Sequence, residues 1–104
     1  MTVDMREIKC STKQNIGLFL RNGRLALLGG GAAPPSDNVV FSGLGAAIPV
    51  CIATACRLEK DMIAIIQKVE TAMLEIKGEQ GKVRNVCQLR VFVSVHPEAR
   101  TRAT

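Results

Sequence analysis

Hydrophobic and polar residues alternate along most of the second half of the chain, between Met62 and Val95. The polar sequence KGEQGK, at residues 77–82, interrupts the alternation and contains two glycines. Because successive side chains of a β-strand point to opposite faces, each half of this region is predicted to be a strand and the link a hairpin turn. Both strands are longer than a domain of this size needs to cross its core, so one end of the hairpin is expected to project.

The alternation assigns the side chains of each strand to two faces. On the second strand, one predicted face carries Val83, Asn85, Cys87, Leu89, Val91, Val93 and Val95, and the other carries Arg84, Val86, Gln88, Arg90, Phe92 and Ser94. On the first strand, the predicted faces are Ile63, Ile65, Val69, Thr71 and Met73 and, opposite them, Ala64, Ile66, Ala72, Leu74 and Ile76. The projecting end carries Lys77, Lys82 and Arg84, which makes it a basic two-stranded arm.

The first third of the chain is predicted to contain a strand, a helix and a loop. Residues 6–10 are a short strand candidate, and Ser11 or Thr12 offers an oxygen that can cap a helix. Residues 15–28 have the apolar spacing of an amphipathic helix. The apolar residues that repeat at this spacing are Ile16, Phe19, Leu20 and Leu27. Residues 29–37, rich in glycine and proline, are predicted to form an exposed loop.

A second strand and a second helix are predicted to follow this loop. Residues 38–42 suit a central strand, residues 43–45 are a glycine-containing link, and the helix extends from residue 46 to about residue 60. Pro49 is compatible with this helix only in its first turn, where its missing N–H has no helical partner to lose. The helix residues expected to face one side are Ile48, Cys51, Ile52 and Ala55. The predicted order is therefore βαβαββ in a single domain spanning residues 1–104, with two helices on one sheet face.

Composition narrows the possible partners. The net charge of +5 favours an anionic partner, although basic proteins without such a partner are common. Aromatic residues make up only 3% of the chain, and three phenylalanines cannot form an extended platform for stacking bases. If the partner is a nucleic acid, recognition of its backbone is therefore expected.

Several classes of protein are not expected from this sequence. There is no apolar targeting segment and no run long enough to span a membrane, so the chain is predicted to be soluble and intracellular. The motif GLGAAI has only half of a dinucleotide fingerprint, so no cofactor is expected. With one histidine and no nucleophile beside an evident base, we do not expect an enzyme.

The four cysteines, Cys10, Cys51, Cys56 and Cys87, have no CxxC spacing, and His96 is the only histidine. A zinc site is therefore not expected. Reduced, buried thiols that act as small hydrophobic side chains are predicted instead.

The order βαβαββ, the opening EIKCSTKQNIGLFLRNG, the junction NVVFSGLGAAIPVCIATACRLEK and the long basic hairpin together resemble the Alba family of small dimeric DNA- and RNA-binding proteins. The resemblance covers roughly residues 6–95 and is closer to eukaryotic members, including protist forms, than to archaeal ones. It implies a single-domain α/β Alba-like sandwich, of the class shared with the C-terminal domain of initiation factor three. A long hairpin between the third and fourth strands is implied to project from it.

The resemblance also implies which residues bind nucleic acid. Lys13 matches the first of two adjacent archaeal lysines, and Gln14 stands where the second, whose acetylation weakens DNA binding, would be. Leu44, Ala46 and Val50 replace basic residues that the archaeal pattern places at the second strand-to-helix junction. The implied nucleic-acid-binding residues are Lys13, Arg21, Arg24, Lys77, Lys82 and Arg84. Arg21 and Arg24 are secondary candidates, because a solvated helix face accounts for them better than binding does.

This reduced set of basic residues favours RNA as the partner, bound with little sequence preference, and DNA is an open alternative. The expected role is in mRNA or ribonucleoprotein handling in the cytoplasm, the nucleus or both. The chain is expected to be a homodimer or a heterodimer with another Alba-type protein. The expected interface residues include Ile48, Ile52, Val91 and Val93. Two other functions are open: a scaffold that pairs with a second Alba-type chain in a particle like RNase P or MRP, and a chromatin-associated DNA-binding protein. The basic arm could also merely protect a hairpin edge from aggregation.

Overall fold

A computed structural model of the protein describes residues 5–30 and 34–99. Its strands and helices are β1 (Met5–Lys9), α1 (Ile16–Leu28), β2 (Asn38–Leu44), α2 (Ile48–Lys60), β3 (Ala64–Lys77) and β4 (Val83–Val95). Single 3-10 turns occupy Gly45–Ala47, directly before α2, and Glu79–Gly81, between β3 and β4. The predicted order βαβαββ is confirmed, and β2 extends two residues further than expected.

The strands form one mixed sheet in the order β1-β2-β4-β3. β1 is parallel to β2, whereas β4 is antiparallel to both of its neighbours, so β2 and β3 point the same way. The crossovers from β1 to β2 and from β2 to β3 both move in the same direction across the sheet. Right-handed crossovers of this kind place both helices on one face. We call this the helix face and the opposite side the open face.

The core lies between the helices and the helix face. Gly23 of α1 is buried at the point where α1, α2 and β2 approach one another. A Cβ atom at this position would lie 2.9 Å from both Leu58 Cδ1 and Phe41 Cζ. The close contact of the two helices therefore depends on the missing side chain of Gly23.

The start of α1 differs from the prediction. Its N-cap is Asn15, whose Oδ1 accepts a hydrogen bond of 2.9 Å from the N–H of Gly17, and not Ser11 or Thr12. Ile16, which was expected to face the core, is 36% exposed. The predicted loop at residues 29–37 is also not wholly exposed, since Ser36 is buried; residues 31–33 lie outside the described residues.

The buried stripe of α2 is rotated from the one predicted. Pro49 lies in the first turn, as expected, but Ile52 is 45% exposed. Thr54 takes a buried place, and its Oγ1 donates a hydrogen bond of 2.8 Å to the carbonyl oxygen of Val50. This bond inside the helix satisfies the hydroxyl, so a threonine is tolerated where an apolar residue was expected.

A β-bulge in β3 changes which residues share a face. Ile66 lies opposite Val93 and Lys68 lies opposite Phe92, so Gln67 is an extra residue in β3. One extra residue exchanges the two sheet faces for every side chain that follows it in the strand. Before the bulge, Ala64 and Ile66 lie on the helix face; after it, Val69, Thr71 and Met73 do. The prediction that grouped Ile63 and Ile65 with Val69, Thr71 and Met73 is therefore wrong. The predicted faces of β4, which has no bulge, agree with its pairing.

The predicted projecting hairpin is present. β2 pairs with β4 only as far as Leu44 opposite Gln88. Beyond this point, β3 and β4 pair only with each other, from Met73 opposite Cys87 to Lys77 opposite Val83. We call this two-stranded segment, residues 73–87, the arm. It contributes to the elongated shape of the protein, which measures 52 × 33 × 25 Å along its principal axes.

Gly23→Ala is predicted to destabilise the fold, although alanine usually stabilises a helix relative to glycine by about 0.5–1 kcal/mol. The reason is that Phe41 and Leu58 are fully buried and cannot easily move away from an added methyl group. Overpacking of this kind costs about 1–3 kcal/mol. Urea denaturation should therefore show a lower free energy of unfolding.

The matched control is Gly17→Ala in the first turn of the same helix. A Cβ atom there meets only Asn15 Oδ1, at an ordinary distance of 3.5 Å, so no loss of stability is expected. If Gly23→Ala were as stable as the control, the close packing of the two helices at Gly23 would be contradicted.

Candidate nucleic-acid interface

Three chain segments meet at one end of the sheet: two carry predicted basic residues, and the third is the glycine-containing turn between β2 and α2. β1 and β2 are parallel, so their carboxyl ends lie at the same end. β3 points in the same direction, so the arm projects from this end as well. The link between β1 and α1, the turn from β2 into α2, and the arm are therefore neighbours. We call this region the arm end of the sheet.

The arm end contains two adjoining clefts, each with a volume of about 540 Å³. The first, which we call the link cleft, is lined by Glu7, Lys9, Cys10, Ser11, Thr12, Lys13, Ser42, Gly43, Leu44, Ala46, Ala47 and Gln88. The second, which we call the arm-root cleft, is lined by Leu44, Gly45, Ala46, Ile76, Arg84, Asn85, Val86 and Cys87. Both clefts are lined by Leu44 and Ala46, so they adjoin each other, and we call the two together the groove.

Two glycines shape the floor between these clefts. A Cβ atom at Gly43 would lie 2.9 Å from the carbonyl oxygen of Ala47, and Gly45 has a φ of +52°. Both positions therefore favour glycine for backbone reasons. No side-chain hydrogen bond caps the turn Gly45–Ala47 or the start of α2. Within the described residues, the backbone N–H groups there have no side-chain acceptor, so they can donate to an anion.

The structure places four of the six predicted basic residues at the arm end. Lys13 is exposed in the link and lines the link cleft. Lys77, Lys82 and Arg84 are exposed near the tip of the arm. Residues that lie directly opposite each other on paired strands share a face. By this rule, Lys77 belongs to the helix face of the arm and Arg84 to its open face. The basic tip therefore presents positive charge on both sides.

The other two predicted residues, Arg21 and Arg24, lie on the exposed side of α1 and line neither cleft. Their role in binding stays a prediction. Lys9, which the sequence analysis did not select, lines the link cleft together with Lys13. The signal that identifies Lys9 is the parallel pairing of β1 with β2, which puts Lys9 opposite Ser42.

The charges on the open face largely compensate one another. Lys68 Nζ lies 2.6 Å from Glu70 Oε1, and Arg90 Nη2 lies 3.6 Å from Glu7 Oε1. Lys68 and Arg90 also flank the ring of Phe92, each 5.2 Å from its centroid. In contrast, no ion pair among the described residues includes the basic side chains of the arm end. The basic side chains of the arm end therefore carry positive charge that no ion pair among the described residues compensates.

The cysteines divide into two pairs by exposure. Cys10 and Cys51 are buried, and the Cys51 thiol donates to the carbonyl oxygen of Phe41 at 3.2 Å. The neighbouring Cys10 thiol and burial raise the pKa of Cys51 well above its ordinary value. Cys56 is exposed and Cys87 is half-buried, so the prediction that all four are buried is wrong for these two.

Other features bear on the remaining classes of function. Residues 5–30 and 34–99 contain no group of three histidine, cysteine, aspartate or glutamate side chains placed to hold a metal ion. In the same ranges, neither helix has the length and apolar character that crossing a membrane would require.

Solved structures of Alba proteins are similar to this fold. Alba from Thermoplasma volcanium superposes with a TM-score of 0.69 at 13% sequence identity, covering 88% of this chain and 99% of the archaeal one. The crystal structure of ALBA1 from Trypanosoma brucei gives a TM-score of 0.73 at 16% identity and covers 94% of this chain and 75% of that protein. No protein-family model and no curated protein matches the sequence. The chain therefore has an Alba-like fold, as the resemblance in its sequence implied.

The ion pair on the open face generates a prediction about pH. The hydrogen bond and charge of Lys68, with a smaller contribution from Arg90, lower the pKa of Glu70. A carboxyl group whose pKa is lowered by folding stabilises the protein above its ordinary pKa, and this contribution is lost as the pH falls through the lowered value. In the variant Lys68→Met, the pKa of Glu70 measured by NMR titration should rise towards its ordinary value. An unchanged pKa would show that Lys68 is not the cause.

Proposed function

We propose that this protein binds nucleic acid, mainly RNA, through the phosphate backbone. The observation that carries the proposal is the group of exposed basic side chains that form no ion pair with the described residues, among them Lys13, Lys82 and Arg84, at the arm end of an Alba-like fold. Phosphate contacts need exposed donors with positive charge but no particular base sequence. Binding with little sequence preference follows, with the arm and the β1–α1 link as the contacting elements.

RNA is preferred over duplex DNA in this proposal because of the junction between β2 and α2. Leu44 and Ala46 are exposed there and carry no charge. A long duplex needs a continuous series of basic contacts along its two backbones, whereas the basic residues here are separated by this neutral surface. Single-stranded or structured RNA can follow an irregular path between them. DNA is the second candidate polymer, and a chromatin role would follow only from a preference for duplex DNA.

The proposed setting is mRNA or ribonucleoprotein handling in the cytoplasm, the nucleus or both. We propose no catalytic activity and no cofactor. The arm end offers basic, hydroxyl and amide side chains around a neutral floor, an arrangement suited to binding.

The proposal includes a dimer, and the placement of Ile52 supports it. Glu59 Oε2 accepts a hydrogen bond of 3.0 Å from the N–H of Ile66, so this side of α2 faces β3. Ile52 precedes Glu59 by seven residues, two helical turns, and therefore lies on the same side about 10 Å nearer the arm. That distance corresponds to about three residues of β3, which is the level of Val69.

Ile52, Val69 and Met73 thus form an apolar patch on the helix side of the protein. They are 45%, 56% and 67% exposed, respectively. Adjacent exposed apolar side chains of this kind mark interfaces between proteins. Of the interface residues expected from the sequence, Val91 and Val93 are buried in the core and cannot contribute, whereas Ile52 can.

The same patch favours a second candidate function, that of a scaffold. If the partner is another Alba-type chain, as in particles like RNase P or MRP, that chain could supply most of the affinity for RNA. The two functions differ in one measurable property. The purified protein alone binds RNA in the first and binds it weakly or not at all in the second.

The proposed function predicts the effect of neutralising the arm. Replacing Lys77, Lys82 and Arg84 together with alanine should weaken binding to all RNA sequences. Each lost phosphate contact flattens the plot of log affinity against log salt concentration by about 0.7 for single strands, which gives roughly 2 for three contacts. Fluorescence titrations with matched RNA and DNA oligomers at several salt concentrations measure this slope and the choice of polymer.

The control for the arm variant is Arg57→Ala, Lys60→Ala and Lys68→Ala combined. It removes the same formal charge from residues outside the arm, two of which, Arg57 and Lys68, are ion-paired, and should change the slope much less. Folding should survive in the arm variant, because substitutions at exposed positions usually change stability by within about 0.5 kcal/mol. An arm variant with the affinity and slope of the parent would contradict the proposed binding element, and a preference for duplex DNA would contradict the choice of RNA.

The apolar patch predicts how the dimer can be broken. Val69→Glu places a charge where the partner would bury it, which is unfavourable without a counter-charge. Light scattering at micromolar concentration should report a dimer for the parent and the mass of one chain, 11.2 kDa, for the variant. Leu18→Glu, at a position 39% exposed on α1, is the control and should remain a dimer. A parent protein that is strictly monomeric would contradict the proposed dimer.

A further inference from the structure

The groove at the arm end has the size of a site for small, flat groups. Each of its two clefts, about 540 Å³, lies within the usual range of about 300–1,000 Å³ for small-molecule sites. Gln88 lines the link cleft and Val86 lines the arm-root cleft. These residues lie two apart on one face of β4, a separation of about 7 Å. The groove therefore offers two neighbouring compartments separated by the exposed side chains of Leu44 and Ala46.

Charge is distributed along the groove in a distinctive order. Lys9 and Lys13 line one end and Arg84 lines the other, while Leu44 and Ala46 between them are neutral. A duplex presents its phosphates and the edges of its stacked base pairs but not the faces of its bases, so it cannot lay a base face on this neutral middle. A single strand can place its phosphates on the basic side chains and lay its bases against the parts of the groove that carry no positive charge. The charge pattern thus fits an unpaired strand better than a duplex.

One acidic side chain lies within the link cleft. Glu7 Oε2 accepts from Ser42 Oγ at 3.4 Å, and Glu7 Oε1 lies 3.6 Å from Arg90 Nη2. Both distances are longer than those of good hydrogen bonds, which are about 2.7–3.2 Å for N–H donors and shorter for O–H donors. An ionised carboxylate only accepts hydrogen bonds and has about four lone-pair sites. Glu7 therefore retains the capacity to accept from a ligand.

From these observations we infer that the groove binds unpaired nucleobases and that the link cleft selects guanine. Guanine presents two adjacent donors, N1–H and the exocyclic N2 amine, which match the two oxygens of the Glu7 carboxylate. Uracil, cytosine and adenine do not offer this pair of donors. The inference rests on the proposed binding of RNA and adds base selectivity to phosphate contacts that carry none.

The test compares three labelled RNA dodecamers at one salt concentration. The first is oligouridine, the second has one central guanosine, and the third has inosine at that position, which keeps N1–H but lacks the N2 amine. A bidentate contact to a base discriminates by roughly fivefold to about a hundredfold. The parent protein should therefore bind the guanosine oligomer about tenfold more tightly than oligouridine, with inosine between them. The preference should disappear when the guanosine is paired in a duplex.

The informative variant is Glu7→Gln, and its readout is the ratio of the affinities for the guanosine oligomer and oligouridine. The loss of one negative charge raises the affinity for every RNA, but this effect cancels in the ratio. The ratio should fall close to one. Glu70→Gln removes the same charge on the same sheet face without lining the groove, and its ratio should equal that of the parent. Ala46→Leu, which fills the groove, should weaken binding of the guanosine oligomer without changing the salt slope.

The outcomes separate this inference from the proposed function. If the parent binds all three oligomers equally, or if Glu7→Gln keeps the parent's ratio, guanine selection by Glu7 is wrong while RNA binding through the arm stands. If the parent binds none of them, both proposals fail, and the groove would then be a surface for a protein partner. A preference for the paired guanosine would also overturn the inference. Thermal unfolding of each variant establishes that the compared proteins are folded.

Discussion

The difference in length between β2 and β4 is the constraint on which the rest of the structure depends. β2 ends at Leu44 because the chain turns sharply at Gly43 and Gly45 into α2, whereas β4 continues along β3. The sheet is therefore wide at its base and only two strands wide beyond this point. The groove lies in the angle that results, with Leu44 on one side and the β4 residues Val86 and Gln88 on the other. Arm and groove are two consequences of the same early turn.

The arm is held together by its own cross-strand contacts. A two-stranded ribbon alone is marginally stable in water, and its stability comes from the side chains that face each other across it. Leu74 and Val86 form such an apolar pair and are half-buried, while the charged residues follow towards the tip. Met73, at the start of the arm, belongs to the apolar patch with Ile52 and Val69. A second chain bound at that patch would thus also support the arm, which couples dimerisation to the position of the basic tip.

The sequence predicted the strands and helices more reliably than it predicted which of their side chains share a face. Alternation has no way of showing an extra residue, so the bulge at Gln67 reversed the predicted facing of the rest of β3. Hydropathy likewise placed Ile52 inside α2 and overlooked Thr54, whose hydroxyl is satisfied within the helix. For the candidate site, local signals and the resemblance selected Lys13 and the arm. Lys9 and Glu7 reach the groove only through the register of β1 with β2, which the sequence of either strand alone does not encode.

On the open face, positive and negative side chains largely cancel each other's charge. Exposed ion pairs such as Lys68 with Glu70 contribute little to stability, because water screens both charges. Their effect on the electric field around the protein is larger, because the negative partner in each pair cancels a positive charge that would otherwise attract a polyanion. The unpaired charges that remain at the arm end direct such a partner to the arm and to Lys13. The neutral groove lies between these charges, so in the proposed complex a polymer steered by its phosphates would bring its unpaired bases to the surface that we propose distinguishes them.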